Sequence, residues 1–109
     1  MAIPEVTVAE AQVLLGSAHP PRLIDVREED EWALGHLPGA ELLPLSRFAE
    51  TFAERLTDPA QPLLIYCHHG GRSARATDYL LRQGYQNVTN LAGGIDAWSL
   101  EIDPSVPRY

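Results

Sequence analysis

Short apolar runs alternate along the chain with segments whose apolar residues recur at helical spacing. The clearest run, Leu63 to Tyr66, is continuously apolar and predicts a strand buried on both faces of a sheet. Weaker runs predict an edge strand at 3–6 and further strands at 22–26, 40–43 and 88–91. Strands that alternate with helices in this way indicate a parallel sheet of the α/β class.

Capping residues and apolar spacing place helices between these strands. Thr7 and Glu10 form a capping-box pattern at the start of a helix that Gly16 ends. Ser46 is placed to cap a helix whose Phe48 and Phe52 share one face with Leu56. The other predicted helices cover 28–34, 73–83 and 95–100, and we expect the proline-containing tail to lie along the surface.

Length and composition narrow the range of functions. A chain of 109 residues holds one domain, which we assign to 1–109, with a core from about 3 to 100 and a tail at 101–109. The net charge is −7, and a nucleic-acid partner is not expected because binding to a phosphate backbone needs clustered positive charge. The sequence predicts no membrane span and no secretory signal, and Met1 favours a stand-alone protein.

The only cysteine, Cys67, ends the apolar run and begins the loop Cys67-His68-His69-Gly70-Gly71-Arg72. A lone thiol forms no internal disulfide and persists best in a reducing compartment, so we expect a cytoplasmic protein. Thiolates are the nucleophilic form of cysteine, and three features of this segment favour an anion. They are the start of a helix near Ser73, backbone N–H groups turned inward at the two glycines, and the Arg72 guanidinium backed by Arg75.

Less specific interpretations of the same residues remain open. Cys67 can be a buried structural thiol, with the glycines forming only a tight turn. His68 and His69 can be acid–base groups, hydrogen-bond donors to an anion, or loop residues that face solvent. We expect no metal, because consecutive ligands fit a tetrahedral centre poorly, and we expect no cofactor.

Three patches of the sequence resemble the rhodanese family. The first runs from Leu23-Ile24-Asp25-Val26-Arg27 through Glu31-Trp32 to Gly35-His36-Leu37-Pro38-Gly39-Ala40. The second is the Cys67 loop with Ser73, and the third is Leu91-Ala92-Gly93-Gly94-Ile95-Asp96-Ala97-Trp98. The ending from Asp103 to Tyr109 also resembles rhodanese modules fused to adenylyltransferases of molybdopterin and thiamine synthesis.

The resemblance implies a five-stranded parallel sheet flanked by helices on both faces, and sulfurtransferase activity. Cys67 would accept sulfane sulfur from thiosulfate or another persulfide donor and pass it to a thiol or to cyanide. The donor would be a small anion; the acceptor would be thioredoxin, a glutathione-like thiol or a sulfur-carrier protein. The substrate-binding residues would be Arg72, His68, His69, Gly70, Gly71 and Ser73. Asp25 and Arg27 would support the site, or else have a purely structural role.

Two other functions share this architecture. Cell-cycle phosphatases and arsenate reductases also place a cysteine loop before a helix, but their loop is one residue longer. Here four residues, His68 to Gly71, separate the cysteine from the arginine, and a narrower loop suits a sulfur atom better than a tetrahedral oxyanion. A catalytically silent rhodanese-like docking module is the second alternative.

Overall fold

Five parallel strands form a single sheet in a computed structural model that describes residues 2–109. The strands are β1 (Glu5–Val6), β2 (Arg22–Asp25), β3 (Glu41–Leu42), β4 (Leu63–Tyr66) and β5 (Val88–Leu91). Their order across the sheet is β1-β5-β4-β2-β3, so β4 lies at the centre and the two shortest strands lie at the edges. The predicted α/β class and five-stranded parallel sheet are confirmed.

Five helices cover the two faces of the sheet: α1 (Val8–Leu15), α2 (Glu29–Leu34), α3 (Phe48–Arg55), α4 (Gly71–Arg82) and α5 (Gly94–Glu101). One core cluster packs Ile24 and Ile65 of the sheet against Phe48 of α3 and Leu80 of α4. The second cluster lies on the opposite face, where α1 and α5 bury residues such as Ala11 and Trp98. Strand residues alternate between these clusters because successive side chains point to opposite faces.

The carboxyl ends of the central strands meet at one edge of the sheet. Asp25 of β2 pairs in register with Tyr66 of β4, so the segments that follow these two strands emerge side by side. Ligand sites of open α/β sheets lie in the crevice beyond this edge. Cys67 is the first residue after β4 and therefore stands at the centre of that edge.

Several sequence predictions need correction at the ends of elements. Ser46 does not cap α3; it lies in a 3-10 turn, and its hydroxyl donates to the Glu28 carboxylate at 2.6 Å. α4 begins at Gly71, two residues before the predicted start, and α5 extends one residue further at each end than predicted. Strands β1 and β3 are shorter than their apolar runs suggested.

The tail does not simply lie on the surface. Val106 is only 7 % exposed within the second core cluster, and the Ser99 hydroxyl donates to its carbonyl at 2.6 Å. The tail then continues to the edge of the sheet that carries Cys67, where Tyr109 contacts His68. No helix within residues 2–109 is long and apolar enough to cross a membrane.

Candidate active site

The Cys67 sulfur lies beneath its own loop and receives hydrogen bonds from it. The backbone N–H of Gly70 lies 3.1 Å from Sγ, and the Ser73 hydroxyl lies 3.3 Å from it. Cys67 is 1 % exposed, and the Ser73 side chain is also fully buried. Both groups are placed to donate to a sulfur anion, which accepts hydrogen bonds more strongly than a neutral thiol does.

Helix α5 fixes the loop from its outer side. The N–H of Ile95 donates to the Cys67 carbonyl at 2.9 Å, and the N–H of Asp96 donates to the His68 carbonyl at 3.1 Å. These first-turn N–H groups have no partner inside their own helix, so the loop carbonyls satisfy them. These two hydrogen bonds anchor on α5 the start of the loop that carries the Gly70 amide.

Two glycines make this close approach possible. Gly70 has a φ of +109°, in the left-handed region that side chains disfavour. A Cβ atom on Gly94 would overlap the carbonyl oxygens of Cys67 and His68. The glycines of the second and third sequence patches therefore allow the loop and the start of α5 to pack backbone against backbone.

Arg72 does not point into an empty anion site. Its two terminal nitrogens donate to the two carboxylate oxygens of Glu31, at 2.7 and 2.9 Å, and link α4 to α2. This pair lowers the pKa of Glu31 to about 2, with the Arg72 hydrogen bonds as the main cause and Tyr109 adding to it. The bidentate pair uses two of the five N–H donors of the guanidinium, so the others remain for a further acceptor.

Tyr109 joins the tail to the same cluster. Its hydroxyl donates to Glu31 at 2.7 Å and accepts from Arg27 at 3.0 Å, while its ring stacks on His68 with centroids 3.9 Å apart. Burial and the neighbouring carboxylate raise the pKa of Tyr109 to about 12, although Arg27 opposes that shift. The phenol therefore stays protonated and remains a donor to Glu31 at neutral pH.

The two loop histidines differ in their surroundings. The His68 ring lies between His69 and Tyr109, and its buried Nε2 has no hydrogen-bond partner among the described residues. Burial, aided by repulsion from His69, lowers the pKa of His68, so the ring is neutral at physiological pH. His69 is exposed, with its Nε2 3.8 Å from the carboxylate of Asp96.

His68, His69 and Asp96 are also the group within residues 2–109 that comes nearest to a metal site, with possible ligand atoms within 4.8 Å of one another. The two imidazole rings are stacked, with only 27° between their planes. Imidazole lone pairs lie in the ring plane, so the lone pairs of stacked rings lie in two nearly parallel planes and do not converge readily on one ion. The present geometry therefore does not match a tetrahedral centre.

Asp25 and Arg27 form a fully buried ion pair beside the site. Three nitrogens of Arg27, including its backbone N, donate to the Asp25 carboxylate, and the guanidinium also reaches the Gly35 carbonyl at 2.8 Å. The pair ties the end of β2 to the turn after α2. Its link to the cysteine loop is indirect and passes through Tyr109 to His68.

The structure thus brings Cys67, Gly70 and Ser73 into direct contact. Arg72 and His68 lie outside these three and contact residues that the sequence did not single out for the site: Glu31, Asp96 and Tyr109. Asn90, a further such residue, donates to the Gly70 carbonyl from beneath the loop. Asp96 lies in the third patch and Glu31 in the first patch, so the resemblance already points to both residues. Tyr109 has no comparable signal, because a residue in the tail carries no local indication that it folds back.

Comparison with known proteins agrees with this geometry. The profile of the "Rhodanese-like domain" matches residues 7–101. The chain belongs to the rhodanese family. Among curated relatives of this rhodanese domain, the thiosulfate sulfurtransferase GlpE of Pseudoalteromonas translucida is 32% identical and is matched over 99% of this chain and 100% of its own length. A rhodanese-like/PpiC domain-containing chloroplast protein of Arabidopsis thaliana is 42% identical over 91 residues, and the chain spans 30% of its length.

Two solved structures of similar length superpose on the rhodanese domain. The human single-domain sulfurtransferase TSTD1 superposes with a TM-score of 0.80 at 28% identity, covering 92% of this chain and 98% of that one. The protein SSP1007 of Staphylococcus saprophyticus gives a TM-score of 0.82 at 30% identity, covering 97% and 100% of the two chains. The relatives named as sulfurtransferases support that activity at the level of the family.

Proposed function

We propose that this rhodanese domain is a sulfurtransferase that carries sulfur as a persulfide on Cys67. The observation behind the proposal is the pair of donors on the buried sulfur, the Gly70 N–H and the Ser73 O–H. A thiolate held this way is prepared for nucleophilic attack, and the same donors stabilise the terminal charge of a persulfide. The family relationship supports the same chemistry, as does the loop of four residues between Cys67 and Arg72.

The reaction has two displacements. The Cys67 thiolate attacks the sulfane sulfur of thiosulfate, the S–S bond of the donor breaks, and sulfite leaves with the bonding electrons. An acceptor thiolate or cyanide then attacks the outer persulfide sulfur, and the Cys67 thiolate leaves. Cyanide yields thiocyanate, whereas a thiol yields a new persulfide. No external oxidant or reductant is needed, because the sulfane sulfur passes between nucleophiles at each step.

The surroundings of the sulfur support specific roles in binding the donor and the acceptor. Arg72 retains N–H groups beyond those used by Glu31, and a guanidinium fits the planar face of a sulfonate or sulfite. His69 is exposed beside Asp96 and is available to contact the donor, whereas neutral His68 forms part of the wall of the site around the Cys67 loop. With no second cysteine in the chain, the sulfur passes to another molecule, such as thioredoxin, a small thiol or a sulfur-carrier protein. A free thiol suits the cytoplasm or another reducing compartment.

The test combines turnover with detection of the intermediate. With thiosulfate and cyanide, we expect thiocyanate release from the native chain and none from Cys67→Ser, which loses the nucleophile but little stability. Mass spectrometry after thiosulfate alone should show a gain of about 32 Da that a reductant removes. Turnover by Cys67→Ser would contradict the mechanism. A folded native chain that gains no sulfur would favour the docking module, and phosphate release from an aryl phosphate would favour the phosphatase.

A further inference from the structure

Asn90 is a polar side chain in the core directly beneath the cysteine loop. It lies on β5, is 1 % exposed, and alternates with Leu91, which packs on the opposite face of the sheet. Asn90 therefore shares the face of Val88, Ile65 and Cys67. A buried amide in this position needs hydrogen-bond partners, because an unpaired buried polar group is costly.

The partners of Asn90 involve only its donor end. Its Nδ2 donates to the Gly70 carbonyl at 3.3 Å and to the Glu5 carboxylate at 2.8 Å. Its Oδ1 is buried and has no partner among the described residues. An aliphatic side chain of similar shape would leave no such unpaired oxygen. The amide is therefore explained by its donor end, which is directed at the loop. Its effect depends on the other donors that the Gly70 carbonyl accepts.

Three donors lie within reach of the Gly70 carbonyl. The Ala74 N–H is 3.0 Å away as the first hydrogen bond of α4, the Ser73 hydroxyl is 3.2 Å away, and the Asn90 amide is 3.3 Å away. A carbonyl oxygen has two lone pairs, so Ala74 and Asn90 together occupy both. The Ser73 hydroxyl has one proton and one other acceptor within reach, the Cys67 sulfur at 3.3 Å.

We infer that Asn90 is a positioning residue that directs the Ser73 hydroxyl proton to the Cys67 sulfur by occupying the Gly70 carbonyl. Without the Asn90 amide, the Ser73 proton is shared between the carbonyl and the sulfur, and the anion loses part of one of its two hydrogen bonds. This role rests on the proposed function insofar as the sulfur anion is the reactive species. It assigns Asn90 no contact with the substrate.

The test measures thiolate availability directly, by alkylation of Cys67 with iodoacetamide, in which the thiolate displaces iodide and forms a thioether. At about pH 6.5 we expect Asn90→Leu to slow alkylation roughly three- to tenfold, the scale of a weakened hydrogen bond to a charged group. The slowing should fade as the pH rises and the thiol ionises in both proteins, and the variant should then react no more slowly than the native chain, because a sulfur anion with weaker hydrogen bonds is the better nucleophile. Slowing that persists at high pH would indicate altered access to the sulfur and would overturn the inference.

A double-mutant cycle identifies the route of the effect. In a Ser73→Ala background, Asn90→Leu should cause no further slowing of alkylation, because the hydroxyl proton that Asn90 directs to the sulfur is absent. Equal slowing in both backgrounds, or none in either, would overturn the inference. Asn87→Leu is the matched control. It makes the same change just before the start of β5, where the amide donates to the Ala60 carbonyl, and it should not slow alkylation. Asn90→Ala serves the same comparison if the leucine variant does not fold.

The two proposals fail in different ways. Alkylation needs neither sulfur donor nor acceptor, so it reports on Asn90 whether or not sulfur is transferred. A chain that follows the expected alkylation pattern but releases no thiocyanate would contradict the sulfurtransferase proposal alone. A chain that turns over thiosulfate while Asn90→Leu leaves alkylation unchanged would contradict the role of Asn90 alone.

Discussion

At the scale of single residues, the Glu31 carboxylate holds the site together through its hydrogen bonds with Arg72 and Tyr109. Glu31 receives two hydrogen bonds from Arg72 and one from Tyr109, while its side chain is only 15% exposed. Arg72 is thereby held in one orientation at the start of α4. The arginine that suggests anion binding in the sequence is thus also a structural link between two helices. Under the proposed function, an anionic donor would meet a guanidinium already oriented by a carboxylate.

The Glu31 pair predicts a pH dependence of stability. The pKa of Glu31 is about 2 in the folded chain, below the ordinary 4.5 of an exposed glutamate. A carboxyl with a depressed pKa stabilises the fold above its unfolded value and loses that contribution as the pH falls toward the folded value. We expect Glu31→Gln to lower the free energy of unfolding by roughly 1–2 kcal/mol at pH 7, after allowance for solvent screening.

The measurement is chemical denaturation of both proteins between about pH 7 and pH 2. The stability difference between native chain and Glu31→Gln should be constant above about pH 5 and should shrink as the pH approaches 2. The exposed residue Glu54 supplies the control, and Glu54→Gln should change stability little at any pH. A Glu31 difference that does not depend on pH would show that the carboxylate charge does not stabilise the fold.

At the scale of elements, backbone contacts between the cysteine loop and α5 hold the loop in shape. The N–H groups of Ile95 and Asp96 hold the loop carbonyls at hydrogen-bond distance, and this requires a residue without a side chain at Gly94. Removing that freedom would push apart the two segments that position the sulfur. Gly94 therefore supports the site without contacting any reacting atom.

Gly94→Ala is expected to disrupt the loop. Its Cβ would overlap the carbonyls of Cys67 and His68, and overpacking of a tight contact typically costs 1–3 kcal/mol. Gly84→Ala is the matched control, because Gly84 also has a positive φ, +95°, but no atom within 4 Å of an added Cβ. We expect Gly94→Ala to unfold at a lower denaturant concentration than Gly84→Ala and to form less persulfide. Equal behaviour of the two variants would mean that only backbone strain matters.

The hydrophobic pattern predicted the elements better than their ends. The strand at 88–91 is confirmed as β5, and the Thr7–Glu10 capping box is present at α1. Helix α4 begins two residues earlier than the sequence predicts, because Gly70, in the left-handed conformation, lets the helix begin at Gly71. Ser46 does not cap α3, because its hydroxyl donates to Glu28, 18 residues earlier in the chain. Local patterns do not reveal such a distant competitor.

The same limit applies to the candidate site. Cys67, its glycines and Ser73 are adjacent in sequence, so their grouping was readable, and the structure brings Cys67, Gly70 and Ser73 into contact. The bond from Arg72 to Glu31 spans 41 residues and that from Tyr109 to Glu31 spans 78. These contacts form only because the fold brings α2, α4 and the tail together, and no local pattern in the sequence predicts that.

At the scale of the whole molecule, the tail connects the core to the edge of the sheet that carries Cys67. Val106 packs in the second core cluster, Arg108 pairs with Asp96 at 3.0 Å, and Tyr109 stacks on His68. The segment after α5 thus spans the distance from the hydrophobic core to the cysteine loop. Stability of the domain and order of the loop should therefore change together when the tail is removed.

Removal of residues 104–109 tests this coupling. Loss of a buried valine and of the Ser99–Val106 hydrogen bond should lower the free energy of unfolding by about 2–4 kcal/mol. Amide hydrogen exchange at 67–70 should accelerate as well, since His68 loses the stacked ring of Tyr109.

Tyr109→Ala should accelerate exchange in the loop with a smaller loss of stability, because Val106 stays in place. Leu100→Ala, at a 59% exposed position of α5, is the control and should do neither. Unchanged exchange at 67–70 after truncation would show that the loop keeps its order without the tail, and that α5 and α4 alone maintain it.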